Sequence, residues 1–453
     1  MPLPAQGAHL SVLRIGAALA GAVVTAILAA CAATIGPPMA AGTRPHVGPI
    51  TEISRGCPGQ NAEAEQAIDG RYVYVAWIGC NGIGFARSTN GGRSFGKPVT
   101  IPGSVGHGSH MSGIGSGLPN YGWDPSLAVS PSHQVYVAYM LYRSSHVHPI
   151  VAISRDHGAT FTQLPGPESP VKNNWGDRDF IAVGPTGTLY LTWDFGRSLK
   201  SRYGNIVIQK SLDGGKTWSP ITVVSPGFPD HGGDMAAPLL VEPRGRLDAA
   251  FWVWSGGALA PFALPPNHIY FTASTNGGQT WSKPVAIRPE VGRIGYLVTW
   301  IDVALSVDVA GNLYATWDTQ KPGGDIGWLS YSTDRGRTWA PARRVTPDHD
   351  KAEHVMAVTA GSPGVAYVGW LSDNSPRGFA QYLRPFSIHR GWLAMPMRVS
   401  RQFGNRNIWP GDTIGISLLP TGTHVLPKIQ ISWGSAVSGP NSEIFSATVT
   451  QGK

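Results

Sequence analysis

A short apolar strand that ends in a large aromatic recurs seven times in this chain of 453 residues. It reads Tyr74-Val-Ala-Trp77, Tyr136-Val-Ala-Tyr139, Tyr190-Leu-Thr-Trp193 and Ala249-Ala-Phe-Trp252, then Tyr314-Ala-Thr-Trp317, Tyr367-Val-Gly-Trp370 and Ile429-Gln-Ile-Ser-Trp433. The terminal aromatics lie 62, 54, 59, 65, 53 and 63 residues apart. A β-patterned unit near sixty residues long cannot bury both faces of its sheet alone, so units must stack on one another. A closed ring of four-stranded blades satisfies that need. Helical stripes with apolar residues at i, i+3, i+4 and i+7 are missing after the first forty residues, and Gly 58 and Pro 38 are spread along the chain as turn residues. The chain reads as all-β.

Two further strands flank each aromatic one. Upstream lie stretches such as Ser126-Leu-Ala-Val-Ser130, Phe180-Ile-Ala-Val-Gly184 and Val303-Ala-Leu-Ser-Val307. Downstream, five units carry the motif Ser-x-Asp/Asn-x-Gly-x-Ser/Thr-aromatic, with Asn90, Asp156, Asp213, Asn276 and Asp334 at its third position. The residue types fit a tight hairpin. A short carboxyl or amide accepts from turn amides, glycine supplies positive φ, and the aromatic packs back between sheets. These five motifs resemble the Asp-box, or bacterial neuraminidase, repeat, and the resemblance covers roughly residues 46 to 450. It implies a sialidase-like β-propeller in which the hairpins are structural and lie on the face opposite the active site. The sixth unit keeps a remnant, Ser387-Ile-His-Arg-Gly391-Trp392, and the seventh has no box. The seventh has three C-terminal strands, near Thr413–Ser417, Ile429–Trp433 and Glu443–Val449, and the stretch from Val47 to Ile53 can supply its fourth. This count gives seven blades where sialidases of the family have six, and six stays open as the alternative.

The N-terminus is read apart from the fold. Arg14 precedes an apolar run from Ile15 to Ala33 that contains Leu28-Ala29-Ala30-Cys31. A basic residue, an apolar stretch and a small-residue site form an export signal, and the tetrapeptide resembles a lipobox with Cys31 as the lipidated residue. The length of the run also suits an uncleaved anchor. Residues 1–31 are therefore a signal, 32–45 a linker and 46–453 a single propeller outside the cytoplasmic membrane, held there by its N-terminus and expected to be a monomer. In such a compartment the remaining cysteines, Cys57 and Cys80, are expected to pair. The formal charge of +8 is diffuse, without a dense Lys/Arg block, which argues against nucleic acid as the partner.

Candidate functional residues stand where the inner strand of each blade begins. Trp123-Asp124, Trp175-Gly-Asp177-Arg178-Asp179, Trp300-Ile-Asp302 and Trp409-Pro-Gly-Asp412 place an acid near a tryptophan; Asp234, Glu353-His354 and Glu63 or Glu65 occupy similar places without one. Three readings of this ring are open: carboxylates bonded to amides of the next blade, a sugar site of carboxylates and flat rings, or a metal site. No His-x-x-x-His spacing favours the last, and no metal or cofactor is expected. Glycoside hydrolysis would draw two carboxyls from Asp124, Asp179, Asp302 and Asp412. The resemblance to sialidases implies instead a Tyr–Glu pair and three arginines. Tyr121, Tyr203 and Tyr296, with Glu290, are open to that role, and Arg178, Arg197, Arg202, Arg377 and Arg406 fall in loops able to reach the same face. The Phe/Tyr-Arg-Ile-Pro motif that carries the family's first arginine is absent. The expected partner is thus a glycan or a cell-surface protein, bound at the channel face, with exo-sialidase-type hydrolysis as the alternative. The apolar, Pro-rich stretch between Trp254 and His268 is a further candidate contact.

Overall fold

The computed structural model describes residues 45–105, 122–143, 146–167, 171–172, 174–198, 201–225, 233–236, 238–254, 268–288, 303–319, 326–347, 353–373, 377–421, 426–437 and 439–451. They form seven antiparallel sheets around a channel, and the chain contributes one sheet at a time. The first six blades each run inner to outer along the sequence. Blade 1, for example, is Ala62–Asp69, Tyr72–Gly79, Gly82–Ser88 and Val99–Thr100. Blade 7 has Gly415–Leu419, Lys428–Ser435 and Glu443–Thr450, and takes its outer edge from the start of the chain, where His46–Val47 and Thr51–Glu52 pair with Glu443–Thr450. The ring is closed as the strand count requires, and the count is seven.

The recurring aromatic strand is the second of each blade. Both its faces are covered, because neighbouring sheets stack on each side. Hence Val73, Tyr74, Val75, Ala76 and Trp77 are all fully buried, and the strand is apolar throughout instead of alternating. Trp77, Trp193, Trp252, Trp317, Trp370 and Trp433 are among the largest fully buried side chains. Each buries roughly 200 Å² of ring, about 5 kcal/mol of apolar burial per blade.

The five motifs form the hairpins between third and fourth strands. In blade 2 the Ser154 hydroxyl donates to Asp156 Oδ1 (2.7 Å) and accepts from the Gly158 amide (2.7 Å). Asp156 also accepts from the Thr160 amide (2.9 Å) and hydroxyl (2.6 Å). Blades 3 and 5 repeat this set around Asp213 and Asp334. Where the third position is asparagine the last bond reverses: Asn90 Nδ2 donates to Ser94 and Asn276 Nδ2 to Thr280, each at 2.8 Å. All five of these residues are engaged within their own turns.

Cys57 and Cys80 are disulfide-bonded, with Cα atoms 4.5 Å apart, and tie the chain leaving blade 7 to the turn after the second strand of blade 1. The same seam is bridged by Ser54 Oγ donating to Glu443 (2.6 Å) and by Gln66 Nε2 donating to the Gln430 carbonyl (3.0 Å). No described helix is long and apolar enough to cross a membrane.

Candidate functional site

Inner strands begin at one end of the channel, here termed the mouth; the hairpins lie at the other end. Four inner strands break register in their first turn of chain: between Ala62 and Glu65, Trp123 and Ser126, Asp177 and Phe180, and His354 and Ala357. In each, the first bulged residue has positive φ: Glu63 57°, Asp124 49°, Arg178 49° and Val355 54°. Glycine usually fills that position, and a side chain there costs of order 1 kcal/mol or more. A bulge re-aims a side chain, and in blades 1 to 3 the re-aimed residues are a glutamate, an aspartate and an arginine.

These three meet a fourth group from blade 7. Asp124 Oδ2 accepts from the Arg178 amide (2.9 Å), and the Arg178 guanidinium reaches Asp412 Oδ2 (3.4 Å). Glu63 and Asp177 are both in carboxyl–carboxyl hydrogen-bond contact with Asp124. Two indoles orient the acids: Trp123 Nε1 donates to Asp177 (3.0 Å) and Trp409 Nε1 to Asp412 (2.8 Å). Gly411, at φ +106°, makes the close approach possible, because a Cβ there would strike the Glu63 backbone. Glu63 Oε2 and Asp179 Oδ1 are buried without a hydrogen-bond partner among the described residues.

Burial dominates the protonation of the cluster. It pushes Glu63 well up, with Asp124 and then Asp412 adding repulsion, and pushes Asp177 up, with Asp124 the next cause. Asp179 rises for the same two reasons. Asp412 is pushed up to about 6 by burial, while Arg178 pulls it down. Glu63 and Asp177 thus hold their protons to higher pH than ordinary carboxyls, and Asp412 is pushed up to about 6. Below them the channel holds a cavity of about 310 Å³, reached by Arg178 and Asp412 and otherwise lined largely by apolar residues such as Leu127, Ile181, Leu305 and Ile414.

The residues singled out in the sequence divide accordingly. Trp123, Asp124, Arg178, Trp409 and Asp412 come together, and of Glu63 and Glu65 it is Glu63 that joins the carboxyls. Asp179 is 1% exposed and turned between blades, 3.4 Å from Ser126 Oγ. Glu353 is also buried and holds the Gly327 amide and the Thr346 hydroxyl of the preceding blade, as the amide-bonding reading expects. Asp124 combines that role with membership of the cluster. Arg377 is exposed, with its guanidinium 5.9 Å from the Phe403 ring, and Arg406 pairs with Asp373 at 3.0 Å. Among the described residues Arg178 is the arginine of the cluster. The sequence puts Arg197 and Arg202 in a loop; instead the strands Leu189–Ser198 and Ser201–Ser211 extend through both positions, because Phe195 pairs with Asn205 and Gly196 with Gly204 beyond the blade body. The side chains of Trp175, Arg197, Arg202, Tyr203 and Asp234 lie outside the description. Cys31, Tyr121, Glu290, Tyr296, Trp300, Asp302 and residues 255–267 lie outside the described residues.

No protein-family model and no curated relative matches the chain in sequence. Solved structures match in fold. One is an ulvan lyase of polysaccharide lyase family PL25 bound to -[GlcA(1-4)Rha3S]-, with a TM-score of 0.62 at 13% identity over 89% of this chain and 96% of that one. A second is the polysaccharide lyase Uly1, with a TM-score of 0.53 at 11% identity over 85% and 89%. A third is the NanB sialidase from Streptococcus pneumoniae, with a TM-score of 0.48 at 12% identity over 89% and 71%. At these identities the likeness is one of fold.

Proposed function

We propose that the channel mouth is a carbohydrate-binding site for an acidic polysaccharide, carried by an exported propeller of the Asp-box type. The observation that carries this reading is the convergence of Glu63, Asp124, Asp177, Arg178 and Asp412 on one point, with Trp409 37% exposed beside them. Carboxyls recognise sugar hydroxyls, an exposed indole stacks on a pyranose face, and a guanidinium complements a sugar carboxylate. The strained bulges fit a site held ready before the ligand arrives. Fold likeness to lyases of acidic polysaccharide supports the substrate class.

Cleavage is the second reading, favoured by Asp412, which at about 6 can both give and take a proton near neutrality. Glu63, Asp124 and Asp177 lie too close to one another to form a glycosidase pair among themselves, since such a pair stands about 5 Å or more apart across the scissile bond.

A panel of uronate-bearing, sialic-acid-bearing and neutral polysaccharides separates the readings. Wild type should bind uronate-bearing chains, and Trp409→Ala should lose that binding. Appearance of new reducing ends or unsaturated sugars would establish cleavage. Binding to none of the panel, or binding unchanged by Trp409→Ala, would refute the site. The lipid-anchored location rests on Cys31, and labelling with a radioactive fatty acid should be abolished by Cys31→Ser.

A further inference from the structure

We infer that the hairpin face, opposite the mouth, is a docking surface for an anionic phospholipid bilayer, seated through a cleft at the seam between blades 7 and 1. The cleft encloses about 680 Å³ and is lined by Arg71, Arg93 and Lys428, with no acidic residue in its wall. All three cations are exposed. At three other blade boundaries a cation is consumed. Arg87 donates to the Asp156 and His157 carbonyls, Lys210 to that of Gly277, and Arg246 to that of Arg335, each from one blade to the hairpin of the next. Among the described residues the hairpins of blades 1 and 3 receive no such bond, and the cleft lies beside the first of them.

The cleft is continuous with a wider pattern. The sixth hairpin position carries a cation in three of five blades: Arg93, whose Nε also donates to the Asn90 carbonyl (3.0 Å), Lys216 and Arg337. Arg155 and Arg335 add exposed charge at other hairpin positions. Against these stand Asp156, Asp213 and Asp334, each bonded to the hydroxyls and amides of its own turn, and Asp69, which is paired with His133 at 2.9 Å. The three cations of the cleft face no acid in its wall.

Two features favour a bilayer over a soluble polyanion. The chain enters the ring at this face, since His46 pairs with Thr450 and the strand then runs toward the mouth to pair Glu52 with Phe445. The preceding sequence carries the apolar run from Ile15 to Ala33, and a linker over residues 32–45 reaches at most about 50 Å. The chain thus leads into the ring on the cleft's side, and each Arg or Lys of the cleft would add attraction to an anionic headgroup layer. The inference does not depend on what the mouth binds.

The test uses residues 45–453, because the ring closes within the described chain and Thr43–Lys453 is one compact unit. Co-sedimentation is measured with vesicles of phosphatidylglycerol in phosphatidylcholine and of phosphatidylcholine alone. The expected result is binding to the anionic vesicles only, weakened by salt. The triple variant Arg71→Gln, Arg93→Gln, Lys428→Gln should bind them roughly a hundredfold more weakly with an unchanged melting temperature. Equal binding of wild type and variant, or no vesicle binding by a folded wild type, would overturn the inference. Retention on a soluble polyanion without vesicle binding would overturn it in favour of a polymer ligand.

Discussion

Asp124 has two roles that a single carboxyl rarely combines. It holds blade 3 through the Arg178 amide and is also the acid that, after burial, most raises Glu63 and Asp177. Glu63, Asp177, Asp179 and Asp412 all bind protons more tightly folded than unfolded, so stability falls as pH rises from the unfolded carboxylate range, near 4, through the folded values. For Asp412 the rise from 3.8 to about 6 corresponds to about 3 kcal/mol, fully present below pH ~4 and lost above pH ~6. The hairpin aspartates act in the opposite sense. The Thr160 hydroxyl and amide hold Asp156 well below its ordinary value, and Asp334 is held down to about 2 by Thr338, so their stabilisation is lost only as strong acid protonates them. Thermal unfolding followed across pH should therefore peak in mild acid and fall toward neutrality, and Glu63→Gln should reduce that fall. An unchanged slope would mean that Glu63 is ionised in the folded chain.

At the scale of elements, the hairpins and the bulges differ in how openly the sequence displays them. Each hairpin needs Ser, Asp or Asn, Gly, Thr and an aromatic at fixed spacing, so five copies announce themselves. The four bulges share no residue type. Glu63, Asp124, Arg178 and Val355 occupy one geometric position, and Ala62-Glu-Ala-Glu reads as ordinary strand. A one-residue break in alternation leaves no periodic trace, which is why the acids were legible as a group before inner strands but their convergence was not. The extension of Leu189–Ser198 past its blade was hidden for a similar reason, since Gly196 and Arg197 look like loop. Val355→Gly should cost about 1 kcal/mol or less, because relief of backbone strain offsets lost burial, whereas Val358→Gly, buried in the same strand without positive φ, should cost about 2 kcal/mol or more. Urea unfolding of the two variants checks this, and equal losses would remove the strain argument. Asp156→Ala should lose about 1 kcal/mol by analogy with lost helix caps, with no effect on ligand binding at the mouth.

For the whole molecule, closure is the organising event. The N-terminal strands and the Cys57–Cys80 bridge both fasten the seam between blades 7 and 1, and nothing in a repeat count alone says where a ring will close. Cys57→Ser with Cys80→Ser should lower stability by about 3 kcal/mol for a loop of this length. Removing residues 46–53 should expose the edge of Glu443–Thr450 and turn a monodisperse protein into one that aggregates, as light scattering would report. With the ring closed, the two ends of the channel are chemically distinct: carboxyls, indoles and Arg178 at the mouth, and an open basic cleft on the hairpin face. Carbohydrate binding at the mouth is decided by calorimetric titration of a uronate-bearing oligosaccharide into wild type, Arg178→Met and the triple cleft variant. Heat of binding should be lost in Arg178→Met and retained in the cleft variant; loss in the cleft variant with full binding by Arg178→Met would place the carbohydrate elsewhere.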